Sequence, residues 1–400
     1  MSDRSLEELL RASGNPVELL RNAQVGPNVY PGVPAEFTNW RDEQLAWQHT
    51  CVLFNQSFHM AELAVEGPDA LKLLARLGVN SFENFAPGKA KQFVPCTPAG
   101  QVIGDVILFA LGENEYNLVG RAPVLNWVTY HAETGGYDVS VELDQRSAMR
   151  SDGRRKHYRF QIQGPNAMQV IEKALGHPPE DLKFFNMRTE RIAAREVCAL
   201  RHGMVGQPGW ELFGPWEDGD DVHEALVSAG EELGMRLVGG RAYSSNALES
   251  GWIPSPLPAV YTGHELKAYR EWLPAAGYEG SASVGGSFDS PDIEDYYFTP
   301  WDLGYGTSSS STTTSSVARR SSGWLMVRTG PRSRWRSTTR TWRTRSGRCS
   351  ERRTAPSSWT GRRRCTRCTR STRSFRPVRP SASPHGSATA PTRARCSRWR

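Results

Sequence analysis

The chain has 400 residues, enough for two or three domains with a sizeable core, and a formal net charge of +7. That figure describes neither of its parts. Residues 307–400 hold 24 Arg, no Lys and one acid, Glu351, so this tail carries +23 while residues 1–306 carry −16. The acidic body argues against a nucleic-acid binder. No run of about 18 apolar residues offers a membrane span, and the N-terminal MSDRSLEELLRASG, acidic and amphipathic, does not read as a signal peptide. Cys51, Cys96 and Cys198 are widely spaced, the pattern of reduced thiols in a cytoplasmic protein rather than a disulfide framework.

Residues 6–20 predict helical pieces interrupted at Gly14-Asn15-Pro16, and residues 43–46 continue an amphipathic helix. Residues 51–54 read as a short buried strand and residues 60–65 alternate as another. Gly67-Pro68-Asp69 then turns into a helix over 70–77, with Pro68 where a first helical turn tolerates proline. Strands are expected over 92–96 and 102–111 around the turn Thr97-Pro98-Ala99-Gly100, then over 116–120, followed by a helix over 123–134. A second run starts with a strand at 158–163, ends at Gly164-Pro165 and enters a helix over 166–175. Strands at 196–201 and 211–213 and a strongly amphipathic helix at 220–233 complete it. Short strands in pairs, each set followed by one helix, predict α+β domains with antiparallel sheets rather than a doubly wound parallel sheet. No GxGxxG, Walker A, HExxH or GxSxG motif supports a nucleotide, zinc-protease or serine-hydrolase reading, and no metal site is expected.

Residues 241–263, RAYSSNALESGWIPSPLPAVYTG, pack Tyr243, Asn246, Glu249, Trp252 and Tyr261 among prolines and glycines. Pro254, Pro256 and Pro258 bar a helix or central strand. The stretch is expected to be a shaped loop carrying a phenol, a carboxylate, an amide and an indole, either a functional loop or a connector. The tail is a different kind of text. It opens with TSSSSTTTSS, continues in Arg, Ser, Thr, Pro, Trp and Cys, and cannot bury enough apolar surface to offset chain entropy. One reading is a basic disordered arm; the other is a shifted reading frame. One base lost after Gly306 permits His-Leu-Val-Lys-Phe-Asp-His-Asp-Phe-Ile-Gly, ordinary protein text, and sequencing the coding DNA across codons 300–320 decides between them.

Single residues stand out in the body. His59 lies between an apolar strand and the next one, where a lone His is often structural. Asp105 is a carboxylate inside an expected apolar strand, so it is hydrogen-bonded or functional. Arg121 follows the strand at 116–120, placed either to clamp a carboxylate or to make a salt bridge at a helix start. Glu211 sits beside Trp210 within a strand.

In order along the chain, VLFNQSFHMAELAVEGPDALKLL (52–74), TPAGQVIGDVILF (97–109), FQIQGPNAMQVIE (160–172), RHGMVGQPGWELFGP (201–215), ALESGWIPSPLPA (247–259) and YFTPWDLGYG (297–306) resemble the folate-dependent aminomethyltransferase family, the T-protein of glycine cleavage and its relatives. Within it, RNAQVGPNVYP (21–31), GRAP (120–123), HAETGGY (131–137), RAYSSNALESGWIPSPLPAVYTG (241–263) and GGSFDSPDIEDYY (285–297) look like the bacterial tetrahydrofolate-dependent O-demethylases of vanillate, 3-O-methylgallate and syringate.

The resemblance implies a three-domain ring of antiparallel-sheet domains around a central folate pocket. Residues 1–300 would form two intertwined α+β domains, 301–306 the start of the last domain, and 307–400 its garbled, disordered remainder. It implies tetrahydrofolate as methyl acceptor, with Tyr243 as the acid/base group at the ether oxygen, His59 and Arg121 holding the aromatic acid, and Asp105 among the catalytic groups. Gln163, Glu211 and Trp252 would line the folate side. Asn28 stands where some relatives carry a substrate-contacting tyrosine, with Tyr30 two residues on, and Asn55 replaces the usual Asp of the family's "FD" pair. The same-fold alternative is an aminomethyl transfer like that of the glycine-cleavage protein; the alternative of a different class is a basic-tailed nucleic-acid binder.

Overall fold

Helix α1 (Leu6–Ser13) starts from a capping box: the Glu8 amide donates to Ser5 Oγ (3.2 Å), and Glu8 Oε2 accepts from the Ser5 amide (2.8 Å). Gly14 ends it, and Asn15 caps α2 (Pro16–Arg21) with Pro16 in its first turn, so the expected interruption is a stop and a start. The computed structural model describes residues 4–24, 30 and 32–305, which fall within one compact unit. Asn28, Gly306 and the Arg-rich 307–400, with the frame-shift and basic-arm readings that rest on them, lie outside the described residues.

After α3 (Trp40–His49), the chain lays down β1 (Cys51–Asn55), leaves for a second sheet, and later returns. The second sheet comprises β2 (Ala61–Glu66), β3 (Lys89–Phe93), β4 (Val106–Gly112), β5 (Glu115–Gly120) and β6 (Ser140–Asp144), in the antiparallel order β3-β4-β5-β2-β6. Helices α4 (Ala70–Leu77) and α5 (Ala122–Thr134) belong to this run. The first sheet adds β7 (His157–Gln163), β8 (Met187–Ile192), β9 (Arg195–Arg201), β10 (Gly209–Pro215) and β11 (Met235–Leu237), in the order β11-β1-β7-β10-β9-β8. Helices α6 (Ala167–Leu175) and α7 (Gly219–Gly230) pack on it, while α8 (Gly240–Ser250) and α9 (Lys267–Trp272) follow. The expected α+β class with antiparallel sheets holds, with one exception: β1 and β11 pair in parallel, Cys51 opposite Met235.

Both runs turn from strand to helix by the same device. Gly67-Pro68 joins β2 to α4 and Gly164-Pro165 joins β7 to α6, with glycine φ values of 132° and 130°. A Cβ would stand 2.5 Å from Asp138 O at the first corner and 2.6 Å from Cys51 Cα at the second, so only glycine passes there.

The expected loop over 241–263 is corrected in its first half. Residues 240–250 form α8, closed by Gly251 at φ 67°, and the prolines begin three residues later. Proline constrains only its own neighbourhood, and α8 is held by packing on α3, so a serine-rich segment of modest helix propensity is helical anyway. The strand expected over 102–111 starts at Val106, leaving Asp105 in the extended link before β4.

Each sheet has its own apolar core, and a smaller cluster of Phe109, Val119, Leu200 and Phe213 joins the two. Beside it runs a buried ionic seam with no local signature in the sequence. Arg159 on β7 donates to Glu62 on β2 (3.1 Å) and to Glu211 on β10 (2.7 Å), its guanidinium between the rings of Phe109 and Phe213. Arg155 bonds Asp144 at 2.8 Å and lies 3.6 Å from Glu62. Unpaired, any of these charges would be costly here; together each has partners.

Candidate functional site

A cavity of about 480 Å³ opens against the seam. Tyr243, His59, Tyr30, Arg121, Asp105, Glu211 and Trp252, spread over more than two hundred residues of sequence, all line it. Gln163 does not: buried on β7, it donates to His202 O (2.8 Å) and accepts from the Met204 amide (3.1 Å), fixing the loop whose His202 and Met204 reach the cavity. Asn28 lies outside the described residues.

Tyr243 comes from the first turns of α8 and stacks on Phe54 of β1, with ring centroids 3.8 Å apart and planes 9° from parallel. Tyr30 and His59 meet it edge-on, at 5.5 and 5.6 Å. Its hydroxyl accepts from Gln56 Nε2 (2.9 Å), and the same nitrogen donates to Gln161 Oε1 (2.8 Å). With one lone pair engaged by Gln56, the Tyr243 proton is left for whatever enters the cavity. Burial, and then the neighbouring Tyr30, push the Tyr243 phenol up, and the Gln56 hydrogen bond draws it partly back.

Arg121 caps the start of α5 at the end of β5 without a side-chain capping bond. The helix-start salt bridge that the sequence left open is not there: no carboxylate among the described residues lies within ion-pair distance of its guanidinium. Beside it, burial and then the charges of Arg121 and Arg155 lower the His59 imidazole to about 3, so His59 is neutral at ordinary pH. Its Nδ1 is buried without a partner. An unpaired guanidinium next to a neutral imidazole is a receptor for an anion, and a planar carboxylate matches the guanidinium fork.

Elsewhere in the lining, Asp105 Oδ2 accepts from Gln92 Nε2 (2.8 Å), from Trp252 Nε1 (3.0 Å) and from the Tyr305 hydroxyl. Its Oδ1 is buried with no partner. Burial raises the Asp105 carboxyl, and the three donors partly offset this. Glu211 presents a second carboxylate, held by Arg159, with Oε2 3.9 Å from His202 Nδ1, too far for a hydrogen bond. Asn246 Nδ2 is also buried and unpartnered at the cavity wall. Glu249 points elsewhere, bonding Gln44 and Gln48 of α3 (2.9 Å to the latter), which makes it a brace for α8.

A reduced pterin carries a row of N–H donors and a basic amine, and the carboxylates of Asp105 and Glu211 with the Trp252 indole, all in the cavity lining, fit such a group. Sequence reading missed Gln56, Gln92, His202 and Tyr305. Tyr305 lay within the quoted YFTPWDLGYG segment, yet nothing local marks it, because its partner is 200 residues away.

The chain is similar to several known proteins. The chain is 59% identical over 303 residues to a syringate O-demethylase of Sphingobium sp., covering 76% of this chain and 66% of that protein. It is 29% identical over 280 residues to a sesamin methylene transferase of Sinomonas sp., covering 68% of this chain and 59% of that one. It is also 29% identical over 244 residues to an aminomethyltransferase of Halothermothrix orenii, covering 60% and 65%. The chain thus spans less than two thirds of the length of each of these relatives. The GCVT N-terminal domain matches residues 21–255, more than half of the chain, and with that match the chain belongs to the GCVT family.

Proposed function

We propose that this chain is the catalytic part of a tetrahydrofolate-dependent O-demethylase that moves the methyl group of a methoxylated aromatic acid, syringate above all, with vanillate and 3-O-methylgallate as further substrates. The observation that carries the reading is that Arg121, without an ion-pair partner among the described residues, neutral His59 and Tyr243 line one cavity. That arrangement fits a benzoate held by its carboxylate with an ether oxygen at the phenol. The 59% identity to a syringate O-demethylase supports it.

Tetrahydrofolate, when bound, supplies a secondary amine that accepts the methyl carbon. The residues do the rest. One C–O bond breaks and one C–N bond forms, with no change of oxidation state, so the protein has only to orient two partners and move protons. Tyr243 gives its proton to the leaving phenolate oxygen; both are phenols, and the burial that raises the Tyr243 phenol acts on the departing one in the same cavity, so the exchange stays nearly balanced. General-acid help of this kind is worth roughly 10²–10⁴-fold. Asp105 Oδ1 takes the proton that the amine gives up, and solvent resets both groups. Phe54 and Tyr30 fix the Tyr243 ring, while Glu211 and Trp252 hold the cofactor side. The free thiols of Cys51, Cys96 and Cys198 suit a cytoplasmic setting.

Incubating the purified chain with syringate and tetrahydrofolate, and following 5-methyltetrahydrofolate and the demethylated phenol, tests the proposal. Equimolar formation of both is expected. Absence of both from syringate, vanillate and 3-O-methylgallate, with formation of methylenetetrahydrofolate from an aminomethyl donor, would instead establish the glycine-cleavage type of reaction.

A further inference from the structure

We infer that Tyr305 is a positioning residue of this site: with the Trp252 indole and the Gln92 amide, its phenol holds one oxygen of Asp105 and leaves the other, buried in a residue of the cavity lining, without a donor among the described residues and so able to accept an N–H proton. The inference rests on the proposed role of Asp105 as proton acceptor and adds the device that sets its aim.

Three donors from three distant parts of the chain meet on Oδ2, from β3, from the segment after α8, and from the end of the described residues. Oδ1 has none among the described residues, although it is buried. A free carboxylate would share its donors between both oxygens, and a buried acceptor left bare is costly unless something binds it. The donors cannot easily follow a rotation of the carboxylate, because their backbones are tied together. The Val102 amide donates to Phe298 O (2.8 Å), the Ala259 amide donates to Val102 O (3.1 Å), and the Tyr305 amide donates to Pro300 O (2.8 Å). Leu303 and Tyr305 pack on Val79, Val94, Cys96 and Val102, so the Tyr305 segment and the link carrying Asp105 form one body. Burial and then the charge of Asp105 hold Tyr305 protonated, which fixes it as the donor. The other titratable groups of the cavity are Tyr30, His59, Arg121, His202, Glu211 and Tyr243, while the side-chain donors to Asp105 among the described residues are Gln92, Trp252 and Tyr305.

The three hydrogen bonds favour the carboxylate form of Asp105 against its burial, so losing one raises its protonation midpoint. The test is carbon-13 NMR of the aspartate carboxyls in the unliganded chain, with the Asp105 signal assigned by its loss in D105N. In Y305F the midpoint should move up by about 1–2 pH units. The pH below which tetrahydrofolate affinity weakens should move with it. A Y305F midpoint equal to that of the parent chain overturns the inference. If Y305F fails to fold by circular dichroism, W252F and Q92L each remove another donor, and an unmoved midpoint in both has the same force. Undiminished turnover in D105N would instead refute Asp105 as proton acceptor, separating the two failures.

Discussion

Gln56 Nε2 donates to the Tyr243 hydroxyl at 2.9 Å while donating to Gln161 Oε1 at 2.8 Å, so a buried amide pair decides which way the phenol proton points. Tyr243→Phe keeps the ring stacked on Phe54 and removes only that proton. Turnover of syringate is expected to fall by roughly 10²–10⁴-fold in a single-turnover assay, with tetrahydrofolate affinity by calorimetry nearly unchanged. Unchanged turnover would rule out the acid role.

Arg121 has no ion-pair partner among the described residues, and Arg121→Ala should raise KM for the aromatic acid by about 10–100-fold, the worth of a charge-assisted hydrogen bond or two. The KM for tetrahydrofolate should change little. A methyl ester of the same acid, which cannot pair with the guanidinium, should be used about equally poorly by both proteins. A similar rise in both KM values would count against a carboxylate clamp.

His59 gives a pH prediction. Its folded imidazole, lowered to about 3 by burial and then by Arg121 and Arg155, stays neutral well below the ordinary imidazole value of 6.5. Binding of the aromatic acid should therefore show no protonation step near pH 6.5, which titration calorimetry between pH 5.5 and 8 would test. Because the unfolded imidazole takes up a proton that the folded one refuses, His59 withdraws stability as pH falls below 6.5.

Glu62 holds the seam. Burial pushes its carboxyl up, but Arg159 and the hydrogen bonds from His157 and Arg159 outweigh this, and the group lies far below 4.5. Such a group stabilises the fold fully above its unfolded pKa and loses that contribution as pH falls below about 4.5. Glu62→Gln leaves Arg155 and Arg159 short of a counter-charge, so urea unfolding at pH 7 should show a loss of about 3–5 kcal/mol. At acid pH the gap between variant and parent should narrow; a gap independent of pH would mean that the seam is not ionic in its effect.

What could be read from the sequence was local. The Gly-Pro corners, the apolar alternation of β2 and β7 and the amphipathic α7 carry their signals within a few residues. Asp105 and Arg121 stood out because a charge next to apolar text needs a reason. The rest depends on distant partners. Pro254, Pro256 and Pro258 predict a loop around Tyr243, whereas α8 is set by its packing on α3. Arg159 looked like one polar residue in a strand until Glu62 and Glu211 arrived beside it, and Gln163 lies behind the cavity wall because strand alternation alone does not say which loop an amide will hold.

The twin corners at Gly67 and Gly164 have a consequence for the gene. Glycine is encoded by GGN, so any single-base change at the first or second position of either codon puts a side chain where backbone already stands 2.5–2.6 Å away. Only the third base can drift. In a population of homologous genes these two codons should vary silently and together stand as fixed points around which the strands between them are free to diverge.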